Sequence, residues 1–345
     1  MPVIRESAGH ASVFTFSTNH NRVILNMVLE KRELGSSGIK VTVVGLGTWQ
    51  FSDAWGVKDY AIAKRIIAKA WEVGINFIDT AIVYGQGLSE EFVGRAIREL
   101  GAREHFVIAT KIPGEFLSYG DVFKATRRSL KRLGVDSIDL MQVHWPPAWH
   151  NIPTCEYMRA LEKLVNLGLI KAIGVSNFAP ELLDSARACL AREDVVSNQI
   201  RYNLVERDAE KEIIPYAEAE GLSIIAWSPL AKGVLTGKYT LDNLPVFTDV
   251  RQTDPLFHPE NFNIIYNTLV KKLLEISRKY GKTSAQVALK WLIQASNTII
   301  VIPGAKNEKQ VEDNAVAGEN WHLSTEDWLM LEEVSRNLRI SRVTW

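Results

Sequence analysis

Three residues that could share acid–base chemistry recur at nearly constant spacing. Asp79, Lys111 and His144 each stand at or next to the end of a short apolar run, and Gly47 and Ser176 continue the series on either side. The intervals between these five positions are 32, 32, 33 and 32 residues, and one strand–helix unit takes about 30 residues or more. The spacing therefore predicts that these residues end successive parallel strands and meet on one rim of a barrel.

A lysine, a carboxylate and a phenol on that rim would form a proton donor. A buried ammonium needs a partner, and we expect Asp79 to be the partner of Lys111. The lysine cation would favour phenolate at Tyr84, so we expect it to lower the pKa of that phenol from about 10. His144 would donate a hydrogen bond to the same substrate oxygen. This set suits carbonyl reduction, for which a nicotinamide supplies the hydride.

Eight short runs rich in β-branched residues alternate with amphipathic segments. The runs are largely apolar on both faces, which is typical of parallel strands covered by helices. They occupy residues 41–47, 75–80, 106–111, 138–144, 171–176, 195–201, 222–227 and 298–304. This order predicts an α/β fold, a (β/α)8 TIM barrel. The segment VLEKRELGSSGIKV at 28–41 predicts an N-terminal β-hairpin that plugs the bottom of the barrel.

The composition indicates a globular protein whose partner is a small molecule. Its 345 residues include 40 basic and 40 acidic side chains, so net charge favours neither nucleic acid nor an anionic membrane. Cys155 and Cys189 are too few for a disulfide framework and lack metal-binding spacing, which favours a reducing, cytoplasmic setting without a metal. We expect residues 1–26 to be a disordered extension and 27–345 to form one barrel domain. The sequence leaves the oligomeric state open.

Four motifs make the chain resemble the aldo-keto reductase superfamily, in the branch of microbial reductases and potassium-channel β-subunits. They are DTAIVYG at 79–85, TK at 110–111, VHWP at 143–146 and GVSNF at 174–178. The resemblance extends over nearly the whole chain from residue 27 onward. It implies a proton-donating tyrosine, a lysine and an aspartate that tune it, and a histidine that orients the carbonyl. These roles fall on Tyr84, Lys111, Asp79 and His144.

Two loops are suited to the phosphates of a nicotinamide cofactor. WSPLAKGVLTGKY at 227–239 follows the seventh predicted strand and IPGAKNEKQVEDN at 302–314 follows the eighth, where barrels commonly bind phosphate. The positions expected at the cofactor are Gly47, Thr48, Trp49, Ser176, Asn177, Gln199, Trp227, Ser228, Pro229, Leu230, Gly233, Lys238, Gly304, Lys306, Gln310 and Asn314. The resemblance implies that Ser176, Asn177 and Gln199 hold the carboxamide and that Trp227 stacks on the nicotinamide. Lys306 could pair with a 2′-phosphate, which favours NADP over the alternative, NAD.

Aromatic residues near the predicted rim indicate the substrate class. Trp49, Trp55 and Trp145 are expected to line the substrate pocket, and Phe51, Ile112 and Trp149 are further rim candidates. Such a pocket favours apolar or aryl aldehydes and ketones, or the alcohols of the reverse reaction. Residues 240–261 form a long loop and a candidate lid, from which Arg251 could reach phosphate or remain solvated.

Two other functions are compatible with parts of this pattern. A Schiff-base aldolase would use Lys111 as its nucleophile, but it leaves both phosphate-type loops without a role. A nicotinamide-binding regulatory subunit with little turnover would keep the fold and the loops. The resemblance implies asparagine in place of the histidine in channel subunits, so His144 favours turnover.

Overall fold

The computed structural model describes residues 27–147 and 151–341, and the extension predicted at 1–26 lies outside them. The described chain opens with two short strands, β1 (Lys31–Glu33) and β2 (Lys40–Thr42), which pair antiparallel. The connection between them contains the Gly-Ser-Ser-Gly sequence at 35–38. The predicted N-terminal hairpin is therefore confirmed.

Eight parallel strands follow in the described part of the chain. They are β3 (Leu46–Gly47), β4 (Phe77–Asp79), β5 (Val107–Ile112), β6 (Ile138–Val143), β7 (Ile170–Ser176), β8 (Val195–Arg201), β9 (Ser223–Trp227) and β10 (Ile299–Val301). Each strand pairs in parallel with the next along the chain. Parallel bridges from Val44 to Val301 and from Gly47 to Gly304 join the last strand to the first. This arrangement confirms the predicted (β/α)8 barrel.

The barrel closes through a close backbone approach at Gly47. A Cβ atom at this position would lie 2.7 Å from the carbonyl oxygen of Ile302, just after β10. Real Cβ atoms do not approach backbone this closely, so glycine is required for the two chain segments to meet. The first member of the evenly spaced series therefore has a structural role at the seam of the barrel.

Helices cover the outside of the barrel. They are α1 (Tyr60–Glu72), α2 (Leu88–Leu100), α3 (Tyr119–Leu133), α4 (Thr154–Asn166), α5 (Pro180–Arg187), α6 (Ile213–Glu220), α7 (Pro259–Ile265), α8 (Lys271–Tyr280), α9 (Ser284–Ala295), α10 (Glu308–Ala315) and α11 (Thr325–Arg336). Each buries an apolar face; in α1 this face comprises Ala63, Ile66, Ile67 and Ala70. Among the described helices, none is long and apolar enough to cross a membrane.

A separate apolar core fills the barrel interior. Its members come from alternate positions of the strands, such as Phe77, Ala109 and Leu140, because side chains of a strand point to opposite faces in turn. Leu34 and Val41 of the hairpin pack into the same core and are fully buried. The hairpin therefore closes the end of the barrel at which the strands begin.

The segment predicted as one strand at 41–47 divides between two sheets. Its first residues belong to β2 and pair with β1 of the hairpin, whereas only Leu46–Gly47 forms the barrel strand β3. The backbone groups that pair with the hairpin are not available to the barrel. The extent of the first predicted strand was therefore wrong, although its position at the start of the barrel is correct.

Cys155 and Cys189 form a disulfide, with their Cα atoms 4.9 Å apart. The two cysteines are separated by 34 residues and join the first turn of α4 to the chain that follows α5. Two cysteines are too few for a disulfide framework, as the sequence indicated, but they form this single disulfide, which the sequence did not predict. The pairing depends on how α4 packs against α5, and the spacing in the sequence carries no signal of it.

Candidate active site

Asp79, Lys111 and Tyr84 form one connected set of polar contacts where the strands end. Asp79 ends β4, and the Nζ atom of Lys111 in β5 lies 2.5 Å from its Oδ1 atom. The same Nζ donates to the carbonyl oxygen of Thr80 at 2.8 Å and to the hydroxyl of Tyr84 at 3.2 Å. These contacts use all three N–H groups of the ammonium. The Lys111 side chain is fully buried, so this orientation is fixed.

A tight turn brings Tyr84 back over the strand ends. After β4 the chain forms the 3₁₀ turn Tyr84–Gly87, in which Gly85 and Gln86 have left-handed backbone angles (φ 57° and 55°). Glycine adopts this conformation at little cost, and a Cβ at Gly85 would also lie 3.2 Å from the carbonyl oxygen of Phe51. The glycine that follows Tyr84 thus permits the chain reversal that places the phenol beside Lys111.

Burial and neighbouring charges set the protonation states of this set. Burial alone would lower the pKa of Lys111, but Asp79 and Tyr84 hold that pKa above its usual value. Lys111 is therefore a cation at neutral pH. Burial raises the pKa of Tyr84, and the lowering effect of Lys111 does not offset it because Asp79 acts in the opposite direction. The expected lowering of the Tyr84 pKa is therefore wrong, and Tyr84 is protonated at neutral pH.

His144 follows β6 and faces Tyr84 across the site. The two ring centres lie 5.8 Å apart, with the ring planes at 77°. Burial and the charge of Lys111 hold the pKa of His144 well below its usual value, so the imidazole is neutral. Its buried Nδ1 atom has no hydrogen-bond partner within the residues that the structure describes. A neutral imidazole still carries one N–H that can be donated to a substrate oxygen.

Two glutamines hold the second carboxylate oxygen of Asp79. The Nε2 atoms of Gln142 and Gln199 donate to Asp79 Oδ2 at 3.1 and 2.8 Å, and Gln199 Nε2 also donates to Gln142 Oε1 at 3.2 Å. Sequence reasoning missed Gln142. The available signal was strand alternation, because Gln142 lies two residues before His144 and shares the inward face of β6.

A cavity of about 760 Å³ opens beside these residues. Asp79, Tyr84 and His144 line it, while Lys111 lies buried beneath them. All the positions predicted for the cofactor also line it: Gly47, Thr48, Trp49, Ser176, Asn177, Gln199, Trp227, Ser228, Pro229, Leu230, Gly233, Lys238, Gly304, Lys306, Gln310 and Asn314. The fold therefore brings both phosphate-type loops to the same cavity as Asp79, Tyr84 and His144, while their contacts with a cofactor stay a prediction.

Strained backbone is concentrated around this cavity. The lining residues Asn177, Ser228 and Lys232 have left-handed φ values of 61°, 53° and 53°, a conformation that costs an L-residue about 1–2 kcal/mol. Hydrogen bonds hold the first of them, since Asn177 Nδ2 donates to the carbonyl oxygen of His144 at 3.2 Å and Trp227 Nε1 donates to Asn177 Oδ1 at 3.3 Å. Such strain is typical of binding sites.

Comparison with known proteins identifies the family of this barrel. The model of the Aldo/keto reductase family matches residues 43–336, which is most of the chain. The chain belongs to the aldo/keto reductase family. Membership makes the protein an oxidoreductase and confirms the resemblance that the four sequence motifs indicated.

Relatives and solved structures similar to this chain include enzymes and a probable channel subunit. Aldo-keto reductase YhdN of Bacillus subtilis (strain 168) is 34% identical over 321 residues, which cover 90% of this chain and 94% of that protein. A probable voltage-gated potassium channel subunit beta of Arabidopsis thaliana is 35% identical over 310 residues, covering 84% and 91%. The glycerol dehydrogenase AKR11B4 from Gluconobacter oxydans superposes with a TM-score of 0.80 at 32% identity, covering 91% and 97%. An aldo-keto reductase from Klebsiella pneumoniae in complex with NADPH superposes with a TM-score of 0.72 at 28% identity, covering 92% of this chain and 100% of that chain.

Basic side chains gather on one part of the cavity wall of this aldo/keto reductase. Lys306 Nζ lies 3.6 Å from Asp249 and 5.1 Å from the centre of the Trp55 ring. Arg251 pairs with Asp249 at 2.5 Å and lies 5.3 Å from the same ring, so the arginine is paired rather than freely solvated. Further lining residues that sequence reasoning missed include Lys232, Thr236, Thr283, Asn307 and Lys309. Most of them flank predicted positions within the two phosphate-type loops. Their place in these loops was the sequence signal that could have identified them.

The loop predicted as a lid runs alongside the cavity. It contains Asp249 and Arg251, and the backbone N–H of Val250 donates to the carbonyl oxygen of Ala54 at 3.4 Å. Lys232 also pairs with Asp254 of this loop. The loop therefore contacts both the segment after β9 and the segment after β3, beside the cavity. Its movement as a lid stays a prediction.

Three tryptophans line the cavity near Tyr84 and His144. These are the residues predicted for the substrate pocket, and their contact with a substrate stays a prediction. Trp49 stacks on Tyr84, with ring centres 6.2 Å apart, and packs edge to face against Trp55 at 5.6 Å. Trp145 lies 4.4 Å from the ring of His144. Tyr84 and His144 therefore face a largely aromatic wall.

Two other rim candidates lie elsewhere. Phe51 is fully buried and packs near Phe92 of α2. Ile112 follows Lys111 in β5 and so points to the opposite face, toward the helices, where it is also fully buried. Their placement at the rim was wrong, and Trp149 lies outside the described residues.

Proposed function

We propose that this oxidoreductase reversibly reduces aldehyde or ketone carbonyls to alcohols, with hydride from NADPH and a proton from Tyr84. The observation that carries the proposal is the 3.2 Å contact between the Tyr84 hydroxyl and Lys111 Nζ, in a connected set that continues to Asp79. A buried ammonium stabilises the phenolate that remains after proton transfer. A phenol held in this way is suited to act as a general acid.

Each member of the set has a separate part in proton transfer. Tyr84 is protonated at neutral pH, because burial raises its pKa, and a reduction needs the protonated form. Lys111 already donates to the oxygen on which negative charge develops, so no reorientation is needed during the reaction. Asp79 keeps the ammonium charged. In the oxidation direction the same phenolate would accept the proton of the alcohol.

His144 would hold the carbonyl oxygen next to the Tyr84 hydroxyl. Its imidazole is neutral because burial and Lys111 lower its pKa, so it adds no second positive charge beside the ammonium. Two donors directed at one oxygen polarise the carbonyl and stabilise the charge that develops during reduction.

The residues around the cavity fit a nicotinamide dinucleotide. Such a cofactor supplies the hydride, which no side chain can provide. Ser176, Asn177 and Gln199 would hold the carboxamide, and Trp227 would contact the ring. The loop after β9 has left-handed backbone at Ser228, a conformation that is common where successive backbone N–H groups bind phosphate oxygens.

The charges on the cavity wall support NADP as the preferred cofactor. Lys306, Arg251 and Lys238 line the cavity, and cations of this kind favour the extra phosphate that distinguishes NADPH from NADH. The similar reductase from Klebsiella pneumoniae was solved with NADPH. NAD stays the alternative, because Asp249 already offsets part of the charge of Lys306 and Arg251.

The substrate we propose is a small apolar or aryl aldehyde or ketone. Trp49, Trp55 and Trp145 line the cavity around the acid–base pair, and aromatic walls favour ligands of this kind.

A nicotinamide-binding regulatory subunit with little turnover is the second candidate. The observation in its favour is the 35% identity to a probable potassium channel subunit beta. The Schiff-base aldolase is less well supported. Its nucleophile would be a neutral lysine, whereas the partners of Lys111 hold its pKa above the usual value and engage its three N–H groups.

A binding titration followed by a turnover assay tests these candidates together. Tryptophan fluorescence would follow addition of NADPH and, separately, NADH, since several tryptophans line the cavity. Oxidation of the bound cofactor would then be measured with a panel of aliphatic and aryl aldehydes. We expect tighter binding of NADPH and turnover with aryl members of the panel.

Each contrary outcome points to a different failure. Absence of binding by either cofactor contradicts the reductase proposal. Binding without turnover of any carbonyl supports the regulatory subunit. Borohydride trapping of a carbonyl substrate on Lys111 without nicotinamide supports the aldolase.

A further inference from the structure

Gln142 connects the two halves of the site, although it does not line the cavity. It is fully buried in β6, between the inward-facing Leu140 and His144. Its side-chain partners are Asp79, which belongs to the acid–base set, and Gln199, which is a candidate for the carboxamide. Gln142 thus reaches both groups from one strand.

The three side chains close a triangle of hydrogen bonds. Gln142 Nε2 donates to Asp79 Oδ2 at 3.1 Å, Gln199 Nε2 donates to the same oxygen at 2.8 Å, and Gln199 Nε2 donates to Gln142 Oε1 at 3.2 Å. An amide nitrogen carries two N–H groups. Both N–H groups of Gln199 are therefore engaged inside the triangle.

The carbonyl oxygen of Gln199 is therefore the polar atom of this side chain that is available to the cavity, which Gln199 lines. If its second N–H lost the acceptor supplied by Gln142, the amide could rotate to satisfy that N–H elsewhere. The orientation of Gln199 therefore depends on Gln142.

We propose that Gln142 is a positioning residue that orients the amide of Gln199, so that its oxygen accepts a hydrogen bond from the carboxamide N–H of the nicotinamide. The inference rests on the proposed function, because it concerns the same cofactor. Gln142 would touch neither the cofactor nor the substrate and would act through Gln199.

The same triangle ties cofactor binding to the acid–base set. Asp79 uses its Oδ1 atom for Lys111 and its Oδ2 atom for the two glutamines. Loss of Gln142 removes one of the two amide donors to Oδ2 and leaves the contact with Lys111 in place. We therefore expect a Gln142 variant to affect recognition of the carboxamide more than it affects the binding of the carbonyl substrate.

The test compares NADPH with its reduced 3-acetylpyridine analogue, in which a methyl group replaces the carboxamide nitrogen. The dissociation constants of both would be measured by tryptophan fluorescence for the wild type, Gln142→Met and Gln142→Leu. Methionine keeps the length of the side chain and removes its hydrogen bonds, and leucine provides a second apolar variant if the first is unstable. The matched control is Gln294→Met, because Gln294 bonds to the backbone of Leu323 outside the cavity.

The wild type should prefer NADPH over the analogue, and this preference should fall by about fivefold in either Gln142 variant, the effect of losing one oriented hydrogen bond. The Gln294 variant should keep the wild-type preference. In turnover, kcat should fall in the Gln142 variants while KM for the carbonyl substrate stays near the wild-type value.

A folded Gln142 variant that binds both cofactors more weakly by the same factor, or as tightly as the wild type, would overturn the positioning role. Binding of NADPH with the predicted change in preference, but without turnover by the wild type, would contradict only the proposed reductase activity. Failure of the wild type to bind NADPH would overturn both.

Discussion

The two ends of the barrel use polar groups in opposite ways. At the end where the strands begin, Arg32 donates to the carbonyl oxygens of Ser296, Ile299 and Ile293 at 2.7, 2.7 and 2.9 Å. Asn76 similarly bonds to the backbone of the hairpin through its amide oxygen and nitrogen. Each of these side chains satisfies backbone groups that the strands and α9 leave open.

At the opposite end, polar groups are held in place but directed into a cavity. His144 has a buried Nδ1 atom without a partner in the described part of the chain, and Asn177 and Ser228 have left-handed backbone. The contrast shows that one end contributes mainly to stability, whereas the other keeps unfavourable features that suit a ligand site. Substitutions at the two ends should therefore have separable effects.

The largest effect is expected for Lys111→Met, which should lower both catalytic activity and stability. Loss of the ammonium should lower kcat for carbonyl reduction by roughly 10²–10⁴-fold, the usual contribution of acid–base catalysis. It also leaves the buried Asp79 carboxylate without its cation, at a cost of about 3–5 kcal/mol in the free energy of unfolding. Steady-state kinetics and denaturant unfolding would measure the two effects. A variant with wild-type kcat would contradict the assigned role of Lys111.

Arg32→Met should destabilise the protein without changing its chemistry. Three backbone carbonyl oxygens lose their donor, and we expect a decrease of about 2–3 kcal/mol in the free energy of unfolding. Arg65→Met is the control, because Arg65 forms an exposed pair with Glu308 that should contribute about 1 kcal/mol or less. Loss of kcat in folded Arg32→Met would show that the two ends are not independent.

Lys306→Met should weaken binding of NADPH by about tenfold, the loss expected for one ion pair with phosphate, and leave binding of NADH nearly unchanged. Fluorescence titration would measure both dissociation constants. Lys211→Met is the control, because Lys211 is exposed and pairs with Asp208 away from the cavity. If the substitution weakened the binding of NADPH and NADH equally, Lys306 would not contact the 2′-phosphate.

The smallest expected effect is that of pH on reduction by the wild type. Reduction needs a neutral His144, whose pKa is held well below its usual value, and a protonated Tyr84, whose pKa is raised. Both forms are therefore present from about pH 6 to pH 8, and kcat for reduction should be nearly constant across this range. A decrease toward acid with a midpoint near ~6.5 would show that His144 titrates as an exposed histidine does.

The sequence was sufficient to predict the barrel, the hairpin and the group of residues at the rim. Most of the strand runs are largely apolar, and constant spacing places Asp79, Lys111 and His144 on one rim whatever the detailed packing. The start of the first barrel strand was mispredicted because residues 41–42 can pair with the hairpin or with the barrel, and the sequence does not show which pairing prevails.

The remaining errors concern quantities that depend on three-dimensional packing. The direction of the Tyr84 pKa shift follows from the balance between burial, Lys111 and Asp79, and sequence spacing indicates only the charges. Gln142 was missed because its role depends on hydrogen bonds to Asp79 and Gln199 on two other strands. The sequence does not show that these side chains meet. The Cys155–Cys189 disulfide likewise depends on the packing of α4 against α5.

The most direct test of the proton donor is single-turnover reduction of an aryl aldehyde by Tyr84→Phe loaded with NADPH. Phenylalanine removes only the hydroxyl, so folding and NADPH binding should remain near wild type, and Tyr119→Phe, at an exposed position, is the matched control. We expect the rate of NADPH oxidation to fall by at least about 10²-fold in Tyr84→Phe and to be unchanged in Tyr119→Phe. A wild-type rate in the folded, NADPH-bound Tyr84→Phe variant would contradict the assignment of Tyr84 as the acid.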